Sequence, residues 1–450
     1  MAEGMISSED RGTQETLRDV AERYLFELAN RCMVRVKTDE GSIYNRFKTC
    51  RLHDMIRELC LSKAKDEEFL RVVDMGKGSE DEASMCRISR LVVHLDGVED
   101  DHIKKNQNLR SLLSLQRQWG NRHWNNFGGV DFGMFKFLRI LIFEGHRFKN
   151  RKLPEGVEKL ILLKHLSIRD SEVDELPKSL CMLSCLQSLD LRVRCSIKLL
   201  NFIHKMRHLR HQFLHDHSRS IIGGGKLKLD GLNELETLVG FDSRTDETSH
   251  LLKLSKLQVL HGKVADDEGL SMIVGHVLNN QDQFREIQLI IHNYCNINSE
   301  EGSNLLKKMV TCRSLSWLDI WCRVSKLPTY EPELYRNMVT LLLSGSNIEK
   351  DPMEILEKLP MLRDLRFFTD AYAGREMVCS ATGFRQLRRL RLDGLPNLEE
   401  WTVEEGAMPN LFSLCIYNCY ELKMIHHCSE RIVHSCHARK IHEQGTSGGW

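Results

Sequence analysis

The stretch LPEGVEKLILLKHLSI (153–168) recurs 23 residues later as LPKSLCMLSCLQSLDL (176–191), with Leu160, Leu163 and Leu166 matched by Leu183, Leu186 and Leu189. A repeat of this length constrains the fold more than any other feature. Each unit can lay down one short strand, but it cannot bury that strand's apolar face without a neighbour. The chain must therefore stack. The pattern L-x-x-L-x-L starts again at Leu138, Leu163, Leu186, Leu209, Leu235, Leu257, Phe284, Leu315, Met338, Leu362, Leu387 and Leu411, at intervals of 22 to 31 residues. These intervals bracket the leucine-rich repeat. Two weaker units precede them at Ile88 and Leu109. The pattern lapses at Gln212, where a core Leu is expected, and at Gly240 and Gly262, where the third apolar position is lost.

The register predicts Leu166, Leu189, Leu318, Leu365 and Leu390 on one buried line, with Lys164, Arg363 and Arg388 exposed on the concave sheet. The fold class is thus α/β, a leucine-rich-repeat solenoid (a right-handed horseshoe), preceded by a small unit that the family resemblance set out below implies is a partial winged-helix-like domain. Its divisions are 1–73 for that unit, 74–85 for an acidic linker, 86–425 for the repeats and 426–450 for a Cys/His-rich, poorly ordered tail.

Residues 1–73 follow another rule. Leu17, Val20, Ala21, Tyr24, Leu25 and Leu28 recur at helical spacing and place one apolar stripe on a helix. Residues 33–37 and 47–51 read as two strands, and a second helix opens near Asp54, turning Met55, Ile56, Leu59 and Cys60 inward. Residues 69–73 could add a last strand. So small a unit is marginal for independent folding.

Composition narrows the class. Hydrophobic residues make up 41% of the chain, with no apolar run long enough to cross a bilayer, and the formal net charge of +1 gives no bulk attraction to nucleic acid. The N-terminal MAEGMISSEDRGTQ has neither the basic nor the apolar region of a secretory signal, so a cytoplasmic location is expected. Fifteen cysteines without C-x-x-C spacing suit reduced thiols better than a disulfide framework or a zinc site. The tail ligands His426, His427, Cys428, His434, Cys436, His437 and His442 lack the two close ligand pairs of a structural zinc centre.

AEGMIS (2–7), AERYLFELANRCMV (21–34) and CRLHDMIRELCLSKAKDEEFL (50–70) together resemble the end of the nucleotide-binding region of plant coiled-coil-type nucleotide-binding leucine-rich-repeat disease-resistance proteins. The resemblance continues through the repeats to about Ile425. Leu52-His53-Asp54 looks like that family's methionine-histidine-aspartate motif, with Leu in the first place. The resemblance implies that His53 contacts the ADP phosphate and that Asp54 fixes the local fold, in a complete receptor only. Read without it, Asp54 is an N-cap and His53 a polar turn residue.

The phosphate-binding pattern G-x-x-x-x-G-K-[ST] does not occur, since Gly76-Lys77, Gly225-Lys226 and Gly262-Lys263 all lack its flanking residues. The chain therefore resembles a receptor that keeps its sensing half without its motor. No nucleophile, base and orienting acid are set together, so no enzyme activity and no cofactor are expected for the chain alone, with ADP or ATP belonging to the full-length family.

Recognition is expected on the concave face. Arg139, Lys164, His165 and Arg210 (with His211, and with Arg169 and Arg192 just beyond their strands) form one basic cluster; Arg363, Arg366, Arg388, Arg389 and Arg391, interrupted by Asp364, form another. Like charges on adjacent strands repel, so the second cluster is most readily explained by an acidic partner. By resemblance, the early repeats dock on the nucleotide-binding module of the parent receptor or a relative. The later ones sense a pathogen effector or a guarded host protein. A general repeat scaffold or ubiquitin-ligase-type adaptor would need an F-box-like module in place of residues 1–73. A winged-helix nucleic-acid binder would need a basic helix after Asp54, where Glu58, Asp66, Glu67 and Glu68 offset Arg57, Lys63 and Lys65.

Overall fold

The computed structural model describes residues 17–38, 47–74, 88–94, 106–116, 130–199, 201–214, 219–221, 225–292, 299–324, 326–331 and 333–427, with Ile6 and Lys104. The linker beyond Asp74 and the tail from Cys428 lie outside them. The chain divides into two compact units, 1–38 with 46–259 and 39–45 with 260–450.

In the first unit, helix α1 (Leu17–Asn30) buries Val20 completely, on the stripe set by its apolar spacing. Strands β1 (Val34–Thr38) and β2 (Phe47–Leu52) pair antiparallel. Helix α2 (Asp54–Asp66) corrects an expectation: it buries no residue, leaving Met55 78% and Leu59 58% exposed, Cys60 exposed and Ile56 half-buried. A unit with so few layers cannot cover both sides of its helices. The strand expected to complete this unit, β3 (Arg71–Asp74), instead pairs parallel with β4 (Arg90–His94). Its Val73 sits opposite Val93, and both are buried, so this strand joins the repeat core.

The parallel ladder continues through β5 (Ser111–Leu115), β6 (Ile140–Glu144), β7 (His165–Ser167) and β8 (Ser188–Leu191). Strand β9 (Ile197–Leu199) leaves this ladder and β10 (His211–Leu214) rejoins it. Strand β11 (Arg219–Ile221) pairs with β9, and β12 (Thr237–Asp242) pairs with β10. Leu91, Leu112, Leu141, Leu166, Leu189, Gln212 and Leu238 stand opposite one another from strand to strand, and all are buried. Each leucine on this line contributes roughly 1.5–3 kcal/mol by leaving water.

The two lapses in this unit have different causes. Gln212 occupies the core position with 0% exposure, and neither of its amide atoms finds a hydrogen-bond partner among the described residues. Gly240 lies within β12. It takes φ +83°, and a Cβ there would lie 2.2 Å from the Leu214 carbonyl oxygen. The next core position passes to Phe241, which is 1% exposed. The apolar position lost at Gly240 is thus taken up by the next residue.

Strand β13 (Val259–Val264) spans the division between the units. The second unit then places full helices in its longest intervals. Helix α3 (Asp267–Asn279) is capped by Asp266, which accepts from the Gly269 N–H at 2.6 Å; α4 (Glu300–Val310) is capped by Ser299, which accepts from Gly302 at 3.0 Å. Between and after them run β14 (Glu286–Ile291), β15 (Leu315–Ile320), β16 (Thr340–Ser344) and β17 (Asp364–Phe368). Strands β18 (Glu376–Cys379), β19 (Arg389–Asp393), β20 (Glu400–Val403), β21 (Ser413–Tyr417) and β22 (Met424–His427) follow. The main parallel order is β14-β15-β16-β17-β19-β21, and β18-β20-β22 form a second parallel sheet. Leu289, Leu318, Leu341, Leu365, Leu390 and Leu414 make the buried line here, none more than 2% exposed. Lys164, Arg363 and Arg388, expected in the open, are half-buried. No described helix is long and apolar enough to cross a membrane.

Candidate functional site

The residue preceding each strand of the first unit forms a row. The N–H groups of Arg139, Lys164, Gln187, Arg210 and Glu236 each donate to the carbonyl of the row member one repeat earlier, at 2.7–2.8 Å, with Arg110 as the first acceptor. These positions are therefore spaced by the roughly 4.8 Å separation of neighbouring strands. Arg110 is exposed, and Arg139 and Lys164 are half-buried. Among the described residues none of the three has a carboxylate within ion-pair distance. Arg210 meets Glu236 only at 4.0 Å, and that glutamate ends the cationic run.

Arg110 was not legible as a site residue. Its repeat, starting at Leu109, matches the pattern weakly, yet it stands next to Arg139. His165, one position further in, belongs to this cluster by place and not by charge. Burial pushes its imidazole down, and the Asp190 carboxylate only partly opposes the effect. His211 turns Nδ1 to the Thr237 hydroxyl at 3.2 Å. Arg192 is bound by the buried Asp190 through Nε at 2.9 Å and through Nη2, and its guanidinium lies 4.8 Å from the Phe213 ring centre. Arg169 pairs with Asp170 at 3.4 Å.

The second cluster is built differently. Asp364, 1% exposed, accepts from Arg366 Nε at 2.9 Å and Nη2 at 2.6 Å, and from Arg389 Nε at 2.9 Å. Arg391 Nη2 donates to Asp393 at 2.7 Å. The aspartate that interrupts the arginine run in sequence is thus its counter-ion in space. Arg366, Arg389 and Arg391 need no outside acid. Arg363 and Arg388 sit one position before their strands, the second donating its N–H to the carbonyl of the first at 2.8 Å.

Aromatic rings lie between these pairs. The Arg391 guanidinium is 4.7 Å from the centre of Phe368 and 5.1 Å from that of Tyr417, while Arg366 lies 5.9 Å over Trp317. Trp321 stacks on Phe368 at 6.5 Å with 12° between the planes. Trp317 Nε1 donates to Asp319 at 2.7 Å. Burial pushes the Asp319 carboxyl up to about 6, against that hydrogen bond and the charge of Arg366.

At the N-terminal unit, His53 is half-buried and holds the N-cap position of α2 with φ −62° and ψ 144°, making no side-chain cap bond. Asp54, expected as the N-cap, is the first helical residue. Its carboxylate meets Arg51 at 3.5 Å with both side chains 78% exposed. A carboxylate in the first turn suits the helix dipole. No three potential metal ligands come together among the described residues, although most of the Cys/His tail lies outside them. A small cavity between α3, α4, β14 and β15 is lined by apolar side chains and Cys312, with no group placed for chemistry.

A family model described as a leucine-rich repeat region matches residues 125–435, and one described as a disease resistance protein winged helix domain matches residues 1–60. The chain belongs to the plant disease-resistance proteins. It is 36% identical to the probable disease resistance protein RXW24L of Arabidopsis thaliana over 93% of this chain and 45% of that one. It is 34% identical to the probable disease resistance RPP8-like protein 2 of the same plant, over 94% and 46%. The chain spans about half the length of these curated relatives. The leucine-rich-repeat protein LIC12759 of Leptospira interrogans is similar at a TM-score of 0.46 and 18% identity, over 74% of this chain and 91% of that one, too distant to inform function. In this disease-resistance chain β3, β4 and β5 fall between the two matched segments, yet they are paired as repeat strands.

Proposed function

We propose that this chain is the non-catalytic recognition and autoinhibition region of an intracellular plant immune receptor. The observation that carries the reading is the run Arg110, Arg139 and Lys164 at the entrances of adjacent strands, with no carboxylate at ion-pair distance among the described residues. Such a row repels itself, and an acidic surface on the nucleotide-binding module of the parent receptor or a relative relieves the repulsion on docking. The later repeats sense a pathogen effector or a guarded host protein. Binding there shifts the receptor from closed to open by preferring one state in free energy.

His53 and Asp54 take the ADP-sensing role in a complete receptor, His53 toward the phosphate and Asp54 in holding the start of α2. The chain alone does not retain ADP. One charge-assisted hydrogen bond contributes about 1.5–3 kcal/mol, against the roughly 8 kcal/mol that micromolar binding needs. Titration calorimetry with the nucleotide-binding module of the parent receptor or a relative tests the docking. Arg139→Glu, Lys164→Glu and Arg210→Glu together should weaken it at least tenfold, as should added salt. Affinity unmoved by both changes overturns the autoinhibitory reading.

A further inference from the structure

The second unit's open sheet face carries aromatic rings beside arginines whose charge is already spent. Along β15, β17, β19 and β21, with β16 between the first two, it presents Trp317 and, just past the end of β15, Trp321, then Arg366 and Phe368, then Arg389 and Arg391, then Tyr417. Trp321 is 38% exposed, and Arg366, Arg389 and Arg391 keep 32%, 37% and 41% of their side-chain surface. Three carboxylates, Asp319, Asp364 and Asp393, share the face with these three guanidiniums. These carboxylates offset the three guanidiniums, so a polyanion reaching them would have to displace Asp364 or Asp393 from hydrogen bonds of 2.6–2.9 Å.

Held by Asp393, the Arg391 guanidinium lies against the Phe368 and Tyr417 rings, and Trp321 stacks on Phe368. Trp, Tyr and Arg are the residue types that concentrate binding energy at the centre of protein interfaces, where net charge is depleted. Rigid rings also lose little rotamer entropy on contact.

We infer that this face binds a protein segment of near-zero net charge that presents apolar or aromatic side chains to Trp321, Phe368 and Tyr417, the arginines serving as stacking platforms. The inference deepens the sensing role proposed for the later repeats and rests on that reading. It names the chemistry of the partner.

The probe is a phage-displayed library of random dodecapeptides, panned on the whole chain in 0.5 M NaCl. Selected peptides should be rich in Trp, Phe, Tyr, Leu or Pro and near neutral. As synthetic peptides they should bind Trp321→Ala at least tenfold more weakly and bind Arg139→Glu/Lys164→Glu unchanged. Circular dichroism and the denaturation midpoint of Trp321→Ala check that its fold is kept, and Tyr417→Ser gives an independent loss on the neighbouring ring. Selection of acidic peptides, indifference to both ring substitutions, or no enrichment overturns the inference. None of those results touches docking through the first unit, so the two readings fail separately.

Discussion

Arg139 and Lys164 stand side by side at the entrances of adjacent strands of the first unit, with no carboxylate at ion-pair distance among the described residues. In the second unit Arg366, Arg389 and Arg391 are each held by an aspartate on the same face. Both clusters look alike as strings of letters. They differ because strand register places Asp364 opposite Arg389, with Arg366 two residues along its own strand, so one carboxylate reaches two guanidiniums. No acid takes the equivalent place beside Arg139. Positive charge counted along a sequence is therefore a poor guide to positive field on a sheet.

The largest test of that contrast removes the shared counter-ion. Asp364→Ala should lower the stability of the chain by about 3 kcal/mol, the upper end for hydrogen bonds to charged groups, because Arg366 and Arg389 lose the carboxylate they share. A loss below 1 kcal/mol in urea denaturation would break the contrast at its stronger end.

Acid should act on the two units with opposite sign. His146 is enclosed, with Nε2 2.8 Å from the Ser114 carbonyl, and burial pushes its imidazole down to about 4. Between pH 6.5 and 4 the unfolded state binds a proton that the native His146 does not, so stability is lost as pH falls, by up to about 3 kcal/mol. Asp319 is shifted the other way. Between about pH 4 and 6 its native carboxyl holds a proton that the unfolded one has released, so stability is lost as pH rises through about 6. Denaturation midpoints at pH 4.5 and 7 check both. His146→Gln should be more costly at pH 7, and Asp319→Asn should be more favourable there. Matching pH trends in the two variants would contradict the assignments.

A smaller effect lies in the core lines. Gln212 is the one polar residue opposite Leu189 and Leu238, and its amide is unsatisfied among the described residues. Gln212→Leu should stabilise the chain by about 1–3 kcal/mol, read as a higher denaturation midpoint, and so bring the first unit's line to the all-leucine form of the second.

The repeat strands were legible because a period near 24 residues places the same leucine on the same line every time. Leu166, Leu189, Leu318, Leu365 and Leu390 all fall where that spacing puts them. The part of Gly240 was not legible, since its positive φ and the burial of Phe241 beside it leave no mark on the repeat pattern. The helix face of Met55 and Leu59 misled for a physical reason. Apolar spacing says which residues share a side, but it does not say whether anything packs against that side. Among the site residues, the positions of Arg139, Lys164, Arg363 and Arg388 at strand entrances follow from the period. The neutral state of His165 and the pairing of Asp364 with two arginines depend on enclosure and register across strands, which no linear pattern records.

The first cationic row repels itself, and the second cluster neutralises itself. Replacing charge by polarity should then have opposite consequences. Denaturation midpoints in 20 mM and 500 mM NaCl measure this for Arg139→Gln/Lys164→Gln and for Arg389→Gln. The account predicts that the double variant is more stable than the parent by up to about 1 kcal/mol in low salt, with the gain vanishing in high salt as screening removes the repulsion. Arg389→Gln should be less stable than the parent in both. Two shifts of the same sign in low salt would contradict it.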